Sequence, residues 1–170
     1  MRRLQKTISE IGWTRQVPRL APSVRVAHAF DVMSRESHDC VLVVRGGPKE
    51  VPLVGAELVG IFTSRDFLNR VAAVRRDPQQ VTLEDVMTAN PRSLRPRDGL
   101  AFAINWMAVE GFRNVPIIDD AGRLMGVLTV WDVMRHLGEV FDEIDATPRT
   151  TPLTDDISDV YSMVDLGGGS

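Results

Sequence analysis

Gly126-Val127-Leu128-Thr129-Val130-Trp131-Asp132 decides how this chain is read, because an earlier stretch repeats its pattern as Gly60-Ile61-Phe62-Thr63-Ser64-Arg65-Asp66. Each copy is glycine, two apolar residues, threonine, two variable positions and aspartate. Each ends an apolar run and precedes a helical pattern. A threonine so placed can open a helix as its N-cap, with the aspartate three residues on closing a capping box. The plain reading is therefore two caps. The functional reading is two ligand clefts that present the same hydroxyl and carboxylate.

Working outward, the repetition extends along most of the chain. Met33 and Met107 are 74 apart (107 − 33), and the same offset pairs Leu20 with Leu94, Val43 with Ile117, Glu10 with Glu84 and Thr14 with Thr88. The two motifs are 66 apart (129 − 63), so eight extra residues (74 − 66) fall in the first copy, between Gly46 and Gly55. The chain is a tandem duplication, a pattern to be sought before any local reading.

Within the first copy, Thr7 and Glu10 have capping-box spacing for a helix over Ile8–Trp13. Val17–Leu20 reads as extended. Ser23 is placed to cap a helix through Arg35, with Val26, Ala27, Phe30 and Met33 inward. Cys40–Arg45 and Glu57–Phe62 read as strands around a surface loop at 46–56. A helix then runs from Thr63 to about Arg75, with Phe67, Leu68, Val71 and Val74 inward. The second copy has a short capped helix over Thr82–Met87, extended Arg92–Leu94, and a helix from Asp98 to Glu110 that Gly111 stops. Its inward residues are expected to be Ala101, Ile104, Met107 and Ala108. Strands Asn114–Ile118 and Leu124–Thr129 form a hairpin, and a helix covers Trp131 to about Phe141. The expected organisation is residues 7–76, 81–141 and an acidic tail over 142–170. Within that tail, Ile157, Val160, Met163 and Val164 have the spacing of a short docking helix.

The fold class is thus mixed α/β, two strand–helix–strand–strand–helix repeats packed sheet to sheet about a pseudo-twofold axis. In order, spacing and duplication the pattern resembles the tandem CBS (cystathionine-β-synthase-type) pair, or Bateman module. Asp85-Val86-Met87-Thr88, Val115-Pro116-Ile117, Asp120-Ala121-Gly122-Arg123 and the two seven-residue motifs carry the resemblance. It implies a regulatory module rather than an enzyme, one that binds AMP, ADP, ATP or S-adenosylmethionine in two clefts and requires no cofactor. By the same resemblance Thr63 and Thr129 meet phosphate or ribose, and Asp66 and Asp132 take ribose hydroxyls. Val115, Pro116 and Ile117 border the adenine of the second cleft, Thr88 is a lesser contact, and a homodimer serving an effector protein is implied.

The residues make chemical sense of this on their own. A helix N-terminus offers N–H groups to an anion, and a carboxylate can accept from two vicinal hydroxyls at once. The first copy departs from the pattern, with Leu42 where the second has Pro116 and Trp13 where it has Met87. The second cleft is therefore expected to be the better formed. Thr82-Leu83-Glu84-Asp85 is a further T-x-x-D without the preceding Gly-apolar-apolar run, so the spacing also arises as plain capping. Arg65, Arg70, Arg135 and His136 lie in or just after the motifs, as solvated helix faces or within reach of a polyphosphate.

Composition excludes several classes. With 44% apolar and 25% charged residues the 170-residue chain has the make-up of a soluble domain. A net charge of −3 and only two lysines, Lys6 and Lys49, oppose nucleic-acid or anionic-membrane binding. No apolar run approaches the ~20 residues of a membrane span. Arg2, Arg3 and Lys6 are not followed by a secretory apolar segment. A single cysteine, Cys40, reads as a buried strand residue in a cytoplasmic protein. His28, His38 and His136 have no metal-ligand spacing, and no nucleophile–base pair or P-loop appears. The competing function is a ligand-free interaction scaffold with vestigial clefts.

Overall fold

The computed structural model describes residues 6–14, 16–46 and 56–145. Most of the expected loop at 46–56 lies outside the described residues, as do Ile157, Val160, Met163 and Val164. Residues up to Gly138 form one compact unit. Glu139 onward is a second, of which the described part is the end of a helix that runs to Asp145.

The apolar, largely β-branched run Cys40–Arg45 forms β2, the centre of the first sheet. It pairs antiparallel with β3 (Glu57–Thr63), Val41 opposite Phe62. It pairs parallel with β1 (Arg19–Leu20), Leu20 opposite Val43. On the far side of β3 lies β4 (Thr88–Ala89), with Thr88 opposite Ile61. The second sheet is the hairpin β5 (Asn114–Ile118) and β6 (Leu124–Thr129), Val115 opposite Leu128. Single bridges extend it on both edges, Leu94 parallel to Ile117 and Thr14 antiparallel to Val127. These bridges repeat the first sheet's register, since 20 + 74 = 94, 43 + 74 = 117, 14 + 74 = 88 and 61 + 66 = 127.

The two sheets therefore exchange their last strands. Thr14, at the head of the first copy, joins the second sheet, and Thr88, at the head of the second copy, joins the first. The short helices ahead of them follow. Leu83 and Val86 of α4 (Leu83–Val86) pack with Val26, Met33, Val41, Val43, Phe62 and Val71. Ile8 of α1 (Ile8–Ile11) packs with Leu100, Ala103, Val115, Ile117, Leu128 and Val133. A third core lies between the sheets, formed by Cys40, Leu42, Val44, Ile61, Leu124 and Val127. At the pseudo-twofold axis Glu57 bridges Arg123, its own counterpart (57 + 66 = 123).

The exchange explains the glycine of each motif. A Cβ on Gly126 would stand 2.5 Å from the Thr14 carbonyl oxygen and 2.7 Å from Trp13 Cδ1. One on Gly60 would stand 2.3 Å from Met87 Sδ. At Gly126 only a hydrogen fits beneath the crossing main chain, whereas at Gly60 the Met87 side chain would have to move.

The exchange also replaces the caps expected at two helices. α2 (Val26–Arg35) begins after Arg25, not at Ser23, and has no side-chain cap. Its first N–H groups donate instead to the carbonyls of Val81 (3.0 Å) and Pro78 (3.1 Å). α5 (Leu100–Val109) begins after Gly99 rather than at Asp98, and Leu100 N–H donates to the Lys6 carbonyl (2.8 Å). Backbone from the opposite copy satisfies donors that a helix end leaves open.

Several helix faces differ from expectation. In α2 the buried residues are Val26, Ala29 and Met33, while Phe30 is 43% exposed and stacks on Phe67. In α5 they are Leu100 and Ala103, with Ala101 and Ala108 exposed and Ile104 and Met107 half-buried. After β3 the chain forms only α3 (Ser64–Phe67) before a π-helical turn over Leu68–Ala72. That extra residue per turn rotates the face, so Val71 is buried while Leu68 and Val74 point outward. The last helix, α6 (Val130–Asp145), outruns its expected end at Phe141.

The two motif glycines should respond unequally to alanine. Gly126→Ala meets main chain and is expected to cost about 2–3 kcal/mol, whereas Gly60→Ala meets a flexible methionine and should cost about 1 kcal/mol. Urea denaturation of both variants measures the difference.

Candidate functional site

Each motif turns from strand to helix at its threonine, and the local geometry is the same in both. Thr63 N–H and Oγ1–H donate to Asp66 Oδ2 (2.9 and 2.8 Å), and Asp66 N–H donates back to Thr63 Oγ1 (3.2 Å). Thr129 and Asp132 repeat this at 2.8, 2.7 and 3.1 Å. These are capping boxes. Two more occur among the described residues, Thr7 with Glu10 and Thr82 with Asp85. In the latter, Thr82 holds the Asp85 carboxyl below its ordinary range by donating to it through hydroxyl and main chain.

Tertiary placement separates the four. Glu10 and Asp85 are exposed, whereas Asp66 and Asp132 are only 8% and 4% exposed. The strand exchange causes that burial and adds a second threonine. Thr88 Oγ1 reaches Asp66 Oδ1 at 3.3 Å, and Thr14 Oγ1 reaches both Asp132 oxygens at 3.4 Å. A basic residue from the same helix completes each carboxylate. Arg70 Nη1 is 3.3 Å from Asp66 Oδ1 and donates to the Val86 carbonyl at 2.8 Å. Arg135 Nη2 donates to Asp132 Oδ1 at 2.9 Å.

Both carboxylates front cavities. The cavity at Asp66 encloses about 530 Å³, and its wall includes Asp39, Ile61, Thr63, Thr88, Phe112 and Pro116. That at Asp132 encloses about 250 Å³, beside Thr14, His38, Cys40, Val127 and Thr129. Small-molecule sites commonly enclose about 300–1,000 Å³, which favours the first. The sequence favoured the second. Leu42, the counterpart of Pro116, is buried in the inter-sheet core and fills space there.

The two oxygens of Asp66 also differ in how firmly they are held. Oδ2 carries the two short capping bonds. Oδ1 carries two 3.3 Å contacts, beyond the usual hydrogen-bond range, which a ligand hydroxyl can displace at low cost. At Asp132 the same oxygen is already engaged by Arg135 at 2.9 Å.

Six of the eight residues singled out from the sequence meet at these cavities. Thr63, Asp66, Thr88 and Pro116 share the first, and Thr129 and Asp132 the second. Pro116 was expected beside the second motif. The sheet-to-sheet packing carries it across to the first. Val115 and Ile117, expected to border the ligand, are 1% and 0% exposed in the second-repeat core, because alternate residues of β5 point to opposite sides. Thr14, Asp39, Phe112 and Arg113 were not anticipated. The offset of 74 pairs Thr14 with Thr88 and Asp39 with Arg113, and was the available signal.

Among the described residues, no three His, Cys, Asp or Glu side chains gather as a metal site. Among them too, no helix is long and apolar enough to cross a membrane. Burial, with Asp39's charge adding to it, pushes the Cys40 thiol up to about 12.

With this geometry, comparison with known proteins gives a definite family. The CBS domain profile matches residues 10–73 and 83–139, and the chain belongs to that family. An uncharacterised 17.7 kDa protein of Acidianus ambivalens is 27% identical over 96% of this chain and 97% of its own length. An uncharacterised protein of Methanopyrus kandleri is 30% identical over 46% of this chain, the match covering 40% of that protein's length. Among solved structures, a CBS-domain protein of Burkholderia ambifaria superposes with a TM-score of 0.67 at 23% identity, over 78% of this chain and 93% of its own. A CBS domain protein of Pyrobaculum aerophilum, complexed with AMP, superposes at 0.64 and 19% identity, over 81% and 99%.

The Cys40 thiol provides a pH test. An acid whose pKa rises from about 9 to about 12 on folding keeps its proton in the folded state after the unfolded chain has lost it. The contribution is whole below pH 9 and is lost as pH climbs toward 12, by up to about 1.4 kcal/mol per unit. Cys40→Ala should flatten that alkaline decline relative to the unaltered chain in denaturation measured from pH 8 to 10.

Proposed function

We propose that this protein is a regulatory module that binds an adenosyl ligand, such as AMP, ADP, ATP or S-adenosylmethionine, between its repeats. Ligand state is then passed to an effector protein, and the module catalyses no reaction itself. The observation that carries this reading is the buried Thr63–Asp66 pair on a cavity of about 530 Å³. Asp66 Oδ1 receives the ribose hydroxyls in place of its long contacts to Thr88 and Arg70. Thr63 keeps an acceptor lone pair for the ligand while capping its helix. Ile61, Phe112 and Pro116 offer an apolar wall to the purine. Thr129 and Asp132 form a smaller counterpart, and Val115 and Ile117 serve only by anchoring the strand that carries Pro116. The Pyrobaculum relative holds AMP, and the CBS domain pair of protein MJ0100 holds 5′-methylthioadenosine and S-adenosylmethionine, which supports the ligand class.

Calorimetry with AMP, ATP and S-adenosylmethionine tests the proposal. Binding by at least one is expected, with a loss of roughly tenfold or more in Asp66→Ala, a charged hydrogen-bond partner being worth about 1.5–3 kcal/mol. No heat and no thermal shift at millimolar ligand would sink it.

A second reading, assembly as a homodimer, is favoured by apolar side chains left outside. Trp131 (72% exposed) and Met134 (55%) stand on α6, and Leu68 (60%) follows the equivalent helix of the first repeat. Light scattering should give a dimer that Met134→Glu converts to monomer. A monomer at all concentrations removes this reading.

A further inference from the structure

We infer that Arg70 is a positioning residue of the first cavity: a one-residue π-turn and the last carbonyl of α4 draw its guanidinium off Asp66, which keeps Oδ1 open to a ligand hydroxyl. The leader of the second copy thereby sets how ready the first copy's carboxylate is. This rests on the adenosyl-ligand reading above and deepens it.

The helices that follow the two motifs run in step for one turn and then part. Leu68 matches Met134 at the common offset (134 − 68 = 66), and both are exposed. Beyond them the buried residue is Val71 in one copy (71 − 66 = 5 past its aspartate) and His136 in the other (136 − 132 = 4). Arg70 and Arg135, each one place earlier, then match at a different offset (135 − 70 = 65). Asn69 is the extra residue. The chain accommodates it as the π-turn over Leu68–Ala72, closed by the Ala73 N–H on the Leu68 carbonyl at 2.9 Å. The helix face seen in α6 is recovered one residue late. Insertions carried as single π-turns are frequent at functional sites, and this one lies on the cavity wall.

Carried in this way, the arginine touches something new. Arg135 donates to Asp132 Oδ1 at 2.9 Å, and Asp132 is its one bonded partner among the described residues. Arg70 instead gives its hydrogen bond, 2.8 Å from Nη1, to the Val86 carbonyl. Val86 ends α4, where a helix leaves its last carbonyls without internal partners, and a guanidinium satisfies one of them. Held there, Nη1 stays 3.3 Å from Asp66 Oδ1, near enough to offset the carboxylate's charge and too far for a short bond. The other contact to that oxygen, Thr88 Oγ1 at 3.3 Å, also comes from the second copy's leader. Asp66 therefore keeps one oxygen that is compensated in charge yet open, whereas Arg135 occupies the same oxygen of Asp132. A vicinal diol arriving at Asp66 has no short bond to break.

Calorimetry of the full chain with AMP and with 2′,3′-dideoxy-AMP tests this, because the two ligands differ only in the hydroxyls that Oδ1 accepts. The unaltered chain is expected to favour AMP by at least about tenfold, the worth of a charged hydrogen bond. Deleting Asn69 gives the first motif the aspartate-to-arginine spacing of the second (135 − 132 = 3). The arginine should then close on Asp66 and remove most of the preference. A melting curve checks that this variant is folded, as the second repeat builds the same helix face without an extra residue. Arg70→Ala in the deleted chain should bring the preference back, which a merely structural role for the arginine would not do. Arg70→Ala alone should retain it, and that exposed side chain can be changed even where the deletion is not tolerated. A preference that survives the deletion, is not recovered by Arg70→Ala, or vanishes in Arg70→Ala alone overturns the inference and leaves the adenosyl reading standing. Equal binding of both ligands by the unaltered chain does the same. Binding of neither, nor of ATP or S-adenosylmethionine, removes both readings.

Discussion

The crossing of each copy's leading strand over the motif glycine of the other is the contact on which the rest of this structure depends. Thr14 lies against Val127 and Thr88 against Ile61, so close that a methyl group would collide with the Thr14 main chain at Gly126 and with the Met87 side chain at Gly60. The exchange supplies each sheet with an edge and each hydrophobic core with a short helix. It also provides the first N–H groups of α2 and α5 with carbonyl partners. A small half-domain buries too little surface to stand comfortably alone. Here neither half has to, because its core is completed by the other's leader.

The same crossing turns a common local device into a site. Among the described residues four capping boxes share nearly identical hydrogen bonds, and two of them are solvated helix starts. The two at the motifs differ because a foreign strand buries their carboxylates and brings a second threonine beside each. Capping fixes one carboxylate oxygen firmly; the other has two 3.3 Å contacts at Asp66 and a 2.9 Å bond from Arg135 at Asp132.

Duplication produced two such places, and divergence made them unequal. Pro116 borders the first cavity, whereas its counterpart Leu42 is buried in the inter-sheet core. Arginine stands on one wall where tryptophan and proline stand at the equivalent positions. The pseudo-twofold is close in the backbone register and broken in the side chains that a ligand would meet.

Sequence alone determined the duplication, the mixed α/β class and the bounds of β2, β5 and β6. Repeat offsets and β-branched runs are local properties of the chain, and no partner is needed to see them. Helix faces were less legible. α5 is apolar nearly all round, so periodicity does not choose between Leu100 and Ala101, and one π-helical turn redirects Leu68 and Val74. What only the tertiary structure decided is which residues meet. Pro116 moved to the first motif's cavity, Val115 and Ile117 went into the core, and Thr14 and Thr88 each joined the aspartate of the opposite copy. Those pairings follow from strand exchange and sheet-to-sheet packing, contacts between segments dozens of residues apart. The seven-residue motif by itself encodes a helix cap; its surroundings make two of the four caps candidate binding sites.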